Sequence, residues 1–199
     1  MGPIGVLSLQ GDFREHLEVL NALSVPTVRV RTPEDLAGIS GLIIPGGEST
    51  VIDKLSKIYE LSIPIKALVA EGLPVFGTCA GLIMLANELL DATQSQETFG
   101  GLDVVVQRNA FGSQVDSFET ELDFKGIARK ISAAFIRAPI VSSVGPDVDI
   151  LSTLPNGQIV AVRQGNLLGI SFHPEICEDY AVHEYFVAMC RTAKFAASN

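Results

Sequence analysis

The sequence predicts an α/β fold: a three-layer sandwich around a mostly parallel central sheet. Three observations carry that expectation. Short, nearly unbroken apolar runs recur through the first half of the chain, helical patterns fall between them, and at Gly77-Thr78-Cys79-Ala80-Gly81 an apolar run turns directly into an apolar helix. Strands that are apolar on both faces belong to sheets covered on both sides, and parallel strands need crossover helices to supply that cover.

In order, Ile4 to Leu9, Val25 to Val30, Gly41 to Ile44 and Pro74 to Phe76 read as strands, and a helix follows from about Ala80. From Leu102 to Ser171 the pattern becomes strand-rich. Within that region Gln158 to Gln164, a Gly165-Asn166 turn and Leu167 to Phe172 read as a hairpin that delivers His173 at its end. The last helix is expected over Asp179 to Lys194, where Val182, Tyr185, Phe186, Met189, Cys190 and Ala193 repeat at helical spacing and make Cys190 a packing residue.

A chain of 199 residues with 47% hydrophobic content is expected to form one domain, residues 1–199, around a sizeable core. Its 14 basic and 23 acidic residues leave a net charge of −9, which argues against nucleic acid or an anionic membrane as partner. The longest uncharged stretch, Gly72 to Asn87, is broken by Pro74, Gly77 and Gly81 and is shorter than the roughly 20 residues of a membrane span. No secretory signal is expected ahead of Ile4. Three cysteines at no metal-ligand spacing suit a reducing cytoplasm, with Cys177 structural. No Walker loop, dinucleotide fingerprint or zinc motif is present, so no cofactor and no metal are expected; His16 and His183 read as surface or internally satisfied histidines.

Three motifs carry chemistry. In Gly77-Thr78-Cys79-Ala80-Gly81 the glycines permit a tight strand-to-helix reversal that lifts the Cys79 sulfur above the helix N-terminus, where backbone N–H groups favour negative charge. In Ser171-Phe172-His173-Pro174-Glu175, residues i and i+2 of an extended segment share a face, so Glu175 can orient His173 as the base for a cysteine nucleophile. In Pro45-Gly46-Gly47-Glu48-Ser49, glycines after a strand let amides approach a ligand, and those of Gly47 and Ala80 could form an oxyanion hole while Ser49 caps the helix from Val51. These motifs alone suit an amidotransferase, another thiol hydrolase or a binding subunit derived from either.

With Leu9-Gln10-Gly11-Asp12, Arg108-Asn109-Ala110-Phe111-Gly112 and Phe135-Ile136-Arg137-Ala138-Pro139 added, nearly the whole chain resembles the class I, triad-type glutamine amidotransferases. Among these it is most similar to the glutaminase subunits of two-component pyridoxal 5′-phosphate synthase. The resemblance implies a flavodoxin-like class I amidotransferase fold and hydrolysis of L-glutamine to glutamate and ammonia, the ammonia passing to a (β/α)₈-barrel synthase subunit. It implies Cys79 as nucleophile, His173 as general base and acid, and Glu175 as orienting partner. It also implies Gly47, Glu48, Ser49, Arg108, Ile136 and Arg137 as the glutamine pocket, and Gln10 at the synthase interface. The family often continues Arg-Asn-Ala-Phe-Gly with Arg-Gln, whereas Ser113-Gln114 stand here. The Gly46-Gly47 peptide, free to change orientation at low steric cost, is expected to present its donor only when the partner docks.

Overall fold

The computed structural model describes residues 1–91, 96–108, 117–193 and 195. The first half alternates as expected: β1 (Ile4–Leu7), α1 (Phe13–Ala22), β2 (Thr27–Val30), β3 (Gly41–Ile44), α2 (Ser49–Ile58), α3 (Ser62–Ala70), β4 (Val75–Thr78) and α4 (Ala80–Leu85). Then follow β5 (Ala86–Leu89), β6 (Leu102–Gln107), β7 (Phe118–Leu122), β8 (Ile131–Phe135), β9 (Ile140–Val144), β10 (Asp149–Thr153), β11 (Ile159–Gln164), β12 (Leu167–Ile170) and α5 (Ala181–Thr192). The first two apolar runs overshoot their paired strands by two residues, Ser8 and Leu9 lying after β1 and Val25 and Pro26 before β2, whereas β4 continues past Phe76 to Thr78. Lys194, the expected end of the last helix, lies outside the described residues, as does the Ser113-Gln114 departure.

One large sheet runs β2-β1-β3-β4-β12-β11-β9-β6-β5, with β10 added beside β11, and β7 pairs β8 separately. The five strands from β2 to β12 are mutually parallel, whereas β11 and β12 form the antiparallel hairpin expected around Gly165-Asn166. The sheet is therefore mixed, with its parallel part where the sequence alternates strand and helix.

Side chains of successive strand residues project to opposite faces. Ile4, Val6, Ile43, Phe76, Leu168 and Ile170 pack into one core with residues of α1 and α5. Leu7, Leu42, Ile44, Val75 and Leu167 pack into the other with residues of α2, α3 and α4. Complete burial of one such side chain stabilises by about 1.5–3 kcal/mol, so the two cores together fix the three-layer arrangement. Cys190 is buried in the first core, as its helical spacing requires.

Because β1, β3, β4 and β12 run the same way, the loops that leave them emerge at one edge of the sheet. These are the loops bearing Gln10 and Asp12, Gly46 to Glu48, Cys79, and His173. The order β3-β4-β12 places Cys79 between the glycine loop and the histidine loop. Asp179 secures the last of these: its carboxylate takes two hydrogen bonds from Arg129 (2.6 and 2.8 Å), one from the Ser132 N–H and one from the Ala181 N–H, tying the histidine loop to β8 and α5.

The turn from β4 into α4 is possible only without side chains at its flanks. A Cβ on Gly77 would collide with the backbone of Gly81, and one on Gly81 with the carbonyl of Ile44. Gly81→Ala should therefore cost about 3 kcal/mol or more, because backbone rather than a flexible side chain must move. Urea unfolding of the variant beside the parent checks this, and a loss below about 1 kcal/mol would show that the elbow relaxes easily.

Candidate active site

Cys79 occupies the elbow with φ 48° and ψ −101°, a conformation rare for a residue with a side chain and one that stores about 1–3 kcal/mol. The reversal is held from both sides: the Cys79 N–H donates to Ile170 O at 2.8 Å, and the Cys79 carbonyl begins the α4 ladder. Ala80, first residue of α4, is buried beneath the sulfur, and its N–H belongs to the helix end that has no intrahelical partner.

His173 follows β12 and is locked by its N–H donating to Ala134 O at 2.8 Å, a single bridge to β8. Its Nδ1 lies 2.8 Å from Glu175 Oε1, and both side chains are buried. The pair forms as expected but not by the expected geometry. Pro174–Ile176 is a 3₁₀ turn with His173 as its N-cap residue, so the carboxylate reaches the ring by the chain curling back and not by sharing the face of an extended strand. Proline is compatible with both, since it sits comfortably in the first turn of a helix.

Burial pulls the His173 pKa down, but hydrogen bonds and charge from Cys79 and Glu175 outweigh it and raise the pKa to about 10. Burial raises that of Glu175, against the opposing pull of His173. A carboxylate on Nδ1 fixes the ring so that Nε2 is the nitrogen available to a thiol.

These groups face a cleft of about 450 Å³ lined also by Asp12, Gly47, Glu48, Ser49, Ile83, Arg108, Ile136, Arg137 and Ile176. Arg108 Nη2 bonds Glu48 Oε1 at 3.2 Å, and its Nε is buried without a hydrogen-bond partner among the described residues. The Ile136 carbonyl faces Cys79 Sγ at 4.0 Å, and Arg137 beside it has φ 47°. Thus every residue singled out in the sequence for catalysis or glutamine binding meets here, with Glu175 behind His173 and Ala80 below Cys79.

Gln10 lies just outside the lining and accepts the Glu48 N–H on its Oε1 at 2.9 Å, while the Asp12 N–H donates to Gly46 O at 3.2 Å. The first loop is thereby tied to the glycine loop. Ser49 is not the helix cap. It is the first residue of α2, with Glu48 at the N-cap position and no side-chain cap bond, and its Oγ instead accepts from Gln96 Nε2 at 3.0 Å.

Asp12 was not picked out from the sequence, yet its Oδ2 approaches His173 Nδ1 to 3.5 Å. The available signal was its position after Gly11 in the loop leaving a parallel strand. Asp12, His173 and Glu175 are the group among the described residues whose donor atoms converge closely enough for a metal, but the Nδ1 and Oε1 atoms of the pair already satisfy each other.

His16 and His183 are not at the surface. Both are fully buried, and His16 Nδ1 lies 2.8 Å from His183 Nε2, a bond that leaves His183 Nδ1 without a partner among the described residues. His16 Nε2 lies 3.1 Å from Thr78 Oγ1 and 3.7 Å from Glu175 Oε1.

Comparison with known proteins agrees with this geometry. The model of the SNO glutamine amidotransferase family matches residues 6–192. The chain belongs to that family. The pyridoxal 5′-phosphate synthase subunit PdxT of Clavibacter sepedonicus is 56% identical over 194 residues, covering 96% of this chain and 93% of that protein. The subunit of the same name from Leifsonia xyli subsp. xyli is 56% identical over 185 residues, covering 92% and 93% of the two chains. A crystal structure of a glutamine amidotransferase superposes with a TM-score of 0.90 at 45% identity, covering 96% of this chain and all of that one. The α/β class expected of the sequence is the fold of this family.

Two of the three histidines of the chain, His16 and His183, give it a definite acid sensitivity. Burial, with further repulsion from His183 and His173 at His16, pushes the pKa of His16 well below its ordinary value, and burial pushes that of His183 to about 3. A folded pKa below the unfolded value of about 6.5 means stability that is present above pH 6.5 and lost as pH falls towards the folded pKa. His173, whose folded pKa is raised, is protonated in both states below pH 6.5 and adds no slope there. Stability should therefore fall between pH 6.5 and 5 by up to about 1.4 kcal/mol per pH unit for each of the two buried rings. Replacing His183 by Gln should flatten that slope. Chemical unfolding at several pH values checks it, and an unchanged slope in the variant would contradict the assignment.

Proposed function

We propose that the chain is the glutaminase subunit of a pyridoxal 5′-phosphate synthase, hydrolysing L-glutamine in the cleft above Cys79 and passing the ammonia to a barrel-type synthase subunit. The observation that carries this reading is the convergence of a strained cysteine at a helix N-terminus, a buried histidine–carboxylate pair and Arg108 at one cleft. Membership of an amidotransferase family and likeness to PdxT subunits support the substrate and the partner. A cytoplasmic location suits free thiols at all three cysteines. Among the described residues no helix is long and apolar enough to cross a membrane.

In this mechanism Arg108 holds the α-carboxylate of glutamine, with Glu48, Ser49, Ile136 and Arg137 completing the pocket, and the side-chain amide reaches Cys79. His173, whose cationic form Cys79 and Glu175 favour, already holds the thiol proton when Sγ bonds the amide carbon, and the carbonyl electrons move to oxygen beneath the Gly47 and Ala80 amides. Collapse of that adduct breaks the C–N bond, and His173 returns the proton to the departing ammonia. Water, deprotonated by His173, then attacks the thioester and releases glutamate, leaving the proton on His173. Glu175 holds the ring and stabilises its cationic form throughout.

The Gln10 bond to the Glu48 N–H gives partner docking a route to the oxyanion loop: a synthase surface that moves Gln10 moves the Gly46-Gly47 peptide with it. Glutamate release by the purified chain should rise at least tenfold on adding the synthase subunit and vanish in Cys79→Ala, which should still bind the synthase. Retained hydrolysis in Cys79→Ala would overturn the assignment of the nucleophile. Arg108→Lys, which removes the planar Nε donor, should raise KM for glutamine about tenfold or more with a smaller change in kcat. Steady-state kinetics of the complex checks this, and an unchanged KM would exclude Arg108 from the carboxylate site.

A further inference from the structure

We infer that His16 is a positioning residue for the catalytic carboxylate, continuing the line Cys79–His173–Glu175 into the core of the protein. The inference rests on the glutaminase reading above. The Glu175 carboxylate is only half served: Oε1 holds the His173 bond, whereas Oε2 is buried without a hydrogen-bond partner among the described residues. An ionised carboxylate so placed needs further donors or positive dipoles. The nearest ring nitrogen besides that of His173 is His16 Nε2, 3.7 Å from Oε1 and supplied by α1, far from the motif that carries Glu175.

The tautomer follows from the hydrogen-bond network. His16 Nδ1 and His183 Nε2 share one proton across 2.8 Å, and His183 Nδ1 has no partner. If His16 donated from Nδ1, its Nε2 lone pair would face the Glu175 carboxylate and His183 would bury an unpaired N–H. In the other arrangement His183 Nε2–H donates to His16 Nδ1, and His16 Nε2–H points at Thr78 Oγ1 and the Glu175 carboxylate. Only a bare lone pair is then left unpaired at His183, and a buried unpaired acceptor is more readily tolerated than an unpaired N–H.

The groups facing His16 are His183 from α5, Thr78 and the edge of Phe76 from β4, and Glu175 and His173 from the loop after β12. Burial and both neighbouring histidines keep His16 uncharged, so it offers Glu175 an oriented N–H dipole and no competing proton. The exposed face of this arrangement is nil, since His16, Thr78 and His183 are each 0% exposed. Solvent cannot substitute for the donor.

The experiment measures glutamine hydrolysis by the full chain with its synthase subunit for the parent, His16→Leu and His16→Gln, whose amide N–H can occupy the place of Nε2–H. His16→Leu should lower kcat about 10- to 100-fold with KM for glutamine within about twofold, and should move the acidic limb of kcat/KM to higher pH, because Glu175 loses an oriented N–H dipole that favours its charged form. His16→Gln should recover most of both losses. Equal losses in the two variants with an unmoved pH limb, or full activity in His16→Leu, would overturn the proposal. Should the leucine variant not fold, ¹⁵N NMR of the histidines in the unmodified chain decides. A neutral Nε2–H tautomer of His16 between pH 5 and 8 is expected, and an Nδ1–H tautomer or titration in that range would overturn the proposal. The NMR result stands even if the parent complex releases no glutamate, an outcome that would instead defeat the glutaminase reading.

Discussion

The parallel pairing of β4 between β3 and β12 is the constraint on which the site depends. Ile44 pairs with Gly77 and Thr78 with Ile170, so the glycine loop, the cysteine elbow and the histidine loop leave the sheet at nearly the same level. The sheet is buried on both faces, and a slip by one residue would exchange the contents of the two cores. Register is thus enforced by the whole interior, and the distances between groups at the carboxyl edge follow from it.

Close packing at that edge explains the glycines better than flexibility does. Side chains are excluded at Gly77 and Gly81 by neighbouring backbone, at Gly11 by the Gly46 carbonyl and at Gly46 by the His173 ring. The strained backbone at Cys79 persists because β12 on one side and α4 on the other over-determine it. The elbow sulfur faces the cleft that Cys79 shares with His173 and Arg108.

Beneath the cleft the protein accepts an expensive interior: two uncharged histidines, a threonine and a carboxylate with one unpartnered oxygen. Such a cluster is costly unless its members satisfy one another, and here each ring has a partner on a different element. It links α1, β4, the loop after β12 and α5, the elements that surround Cys79.

The alternation of strands and helices, the hairpin before His173 and the elbow were legible in the sequence, because each rests on local pattern: periodicity, turn chemistry or a short motif. Gly47, Glu48, Ser49, Arg108, Ile136 and Arg137, which the family resemblance implied, all line the cleft. Ser49 as a cap and the extended His173-Glu175 segment were misread for a local reason too, since a cap and a 3₁₀ turn differ from their alternatives by one residue or one dihedral. Asp12, His16 and His183 lay beyond reach of such reasoning. Histidines at helical spacing look alike whether they face water or core, and only packing decides that α1 and α5 meet across Phe76 with their imidazoles touching. By itself the sequence determined the fold class and marked Cys79 and His173 as candidates for catalysis, since each of these rests on a pattern a few residues long. Tertiary structure alone decided which distant side chains support Glu175, because burial and a shared proton between α1 and α5 are properties of the assembled core and of no segment within it.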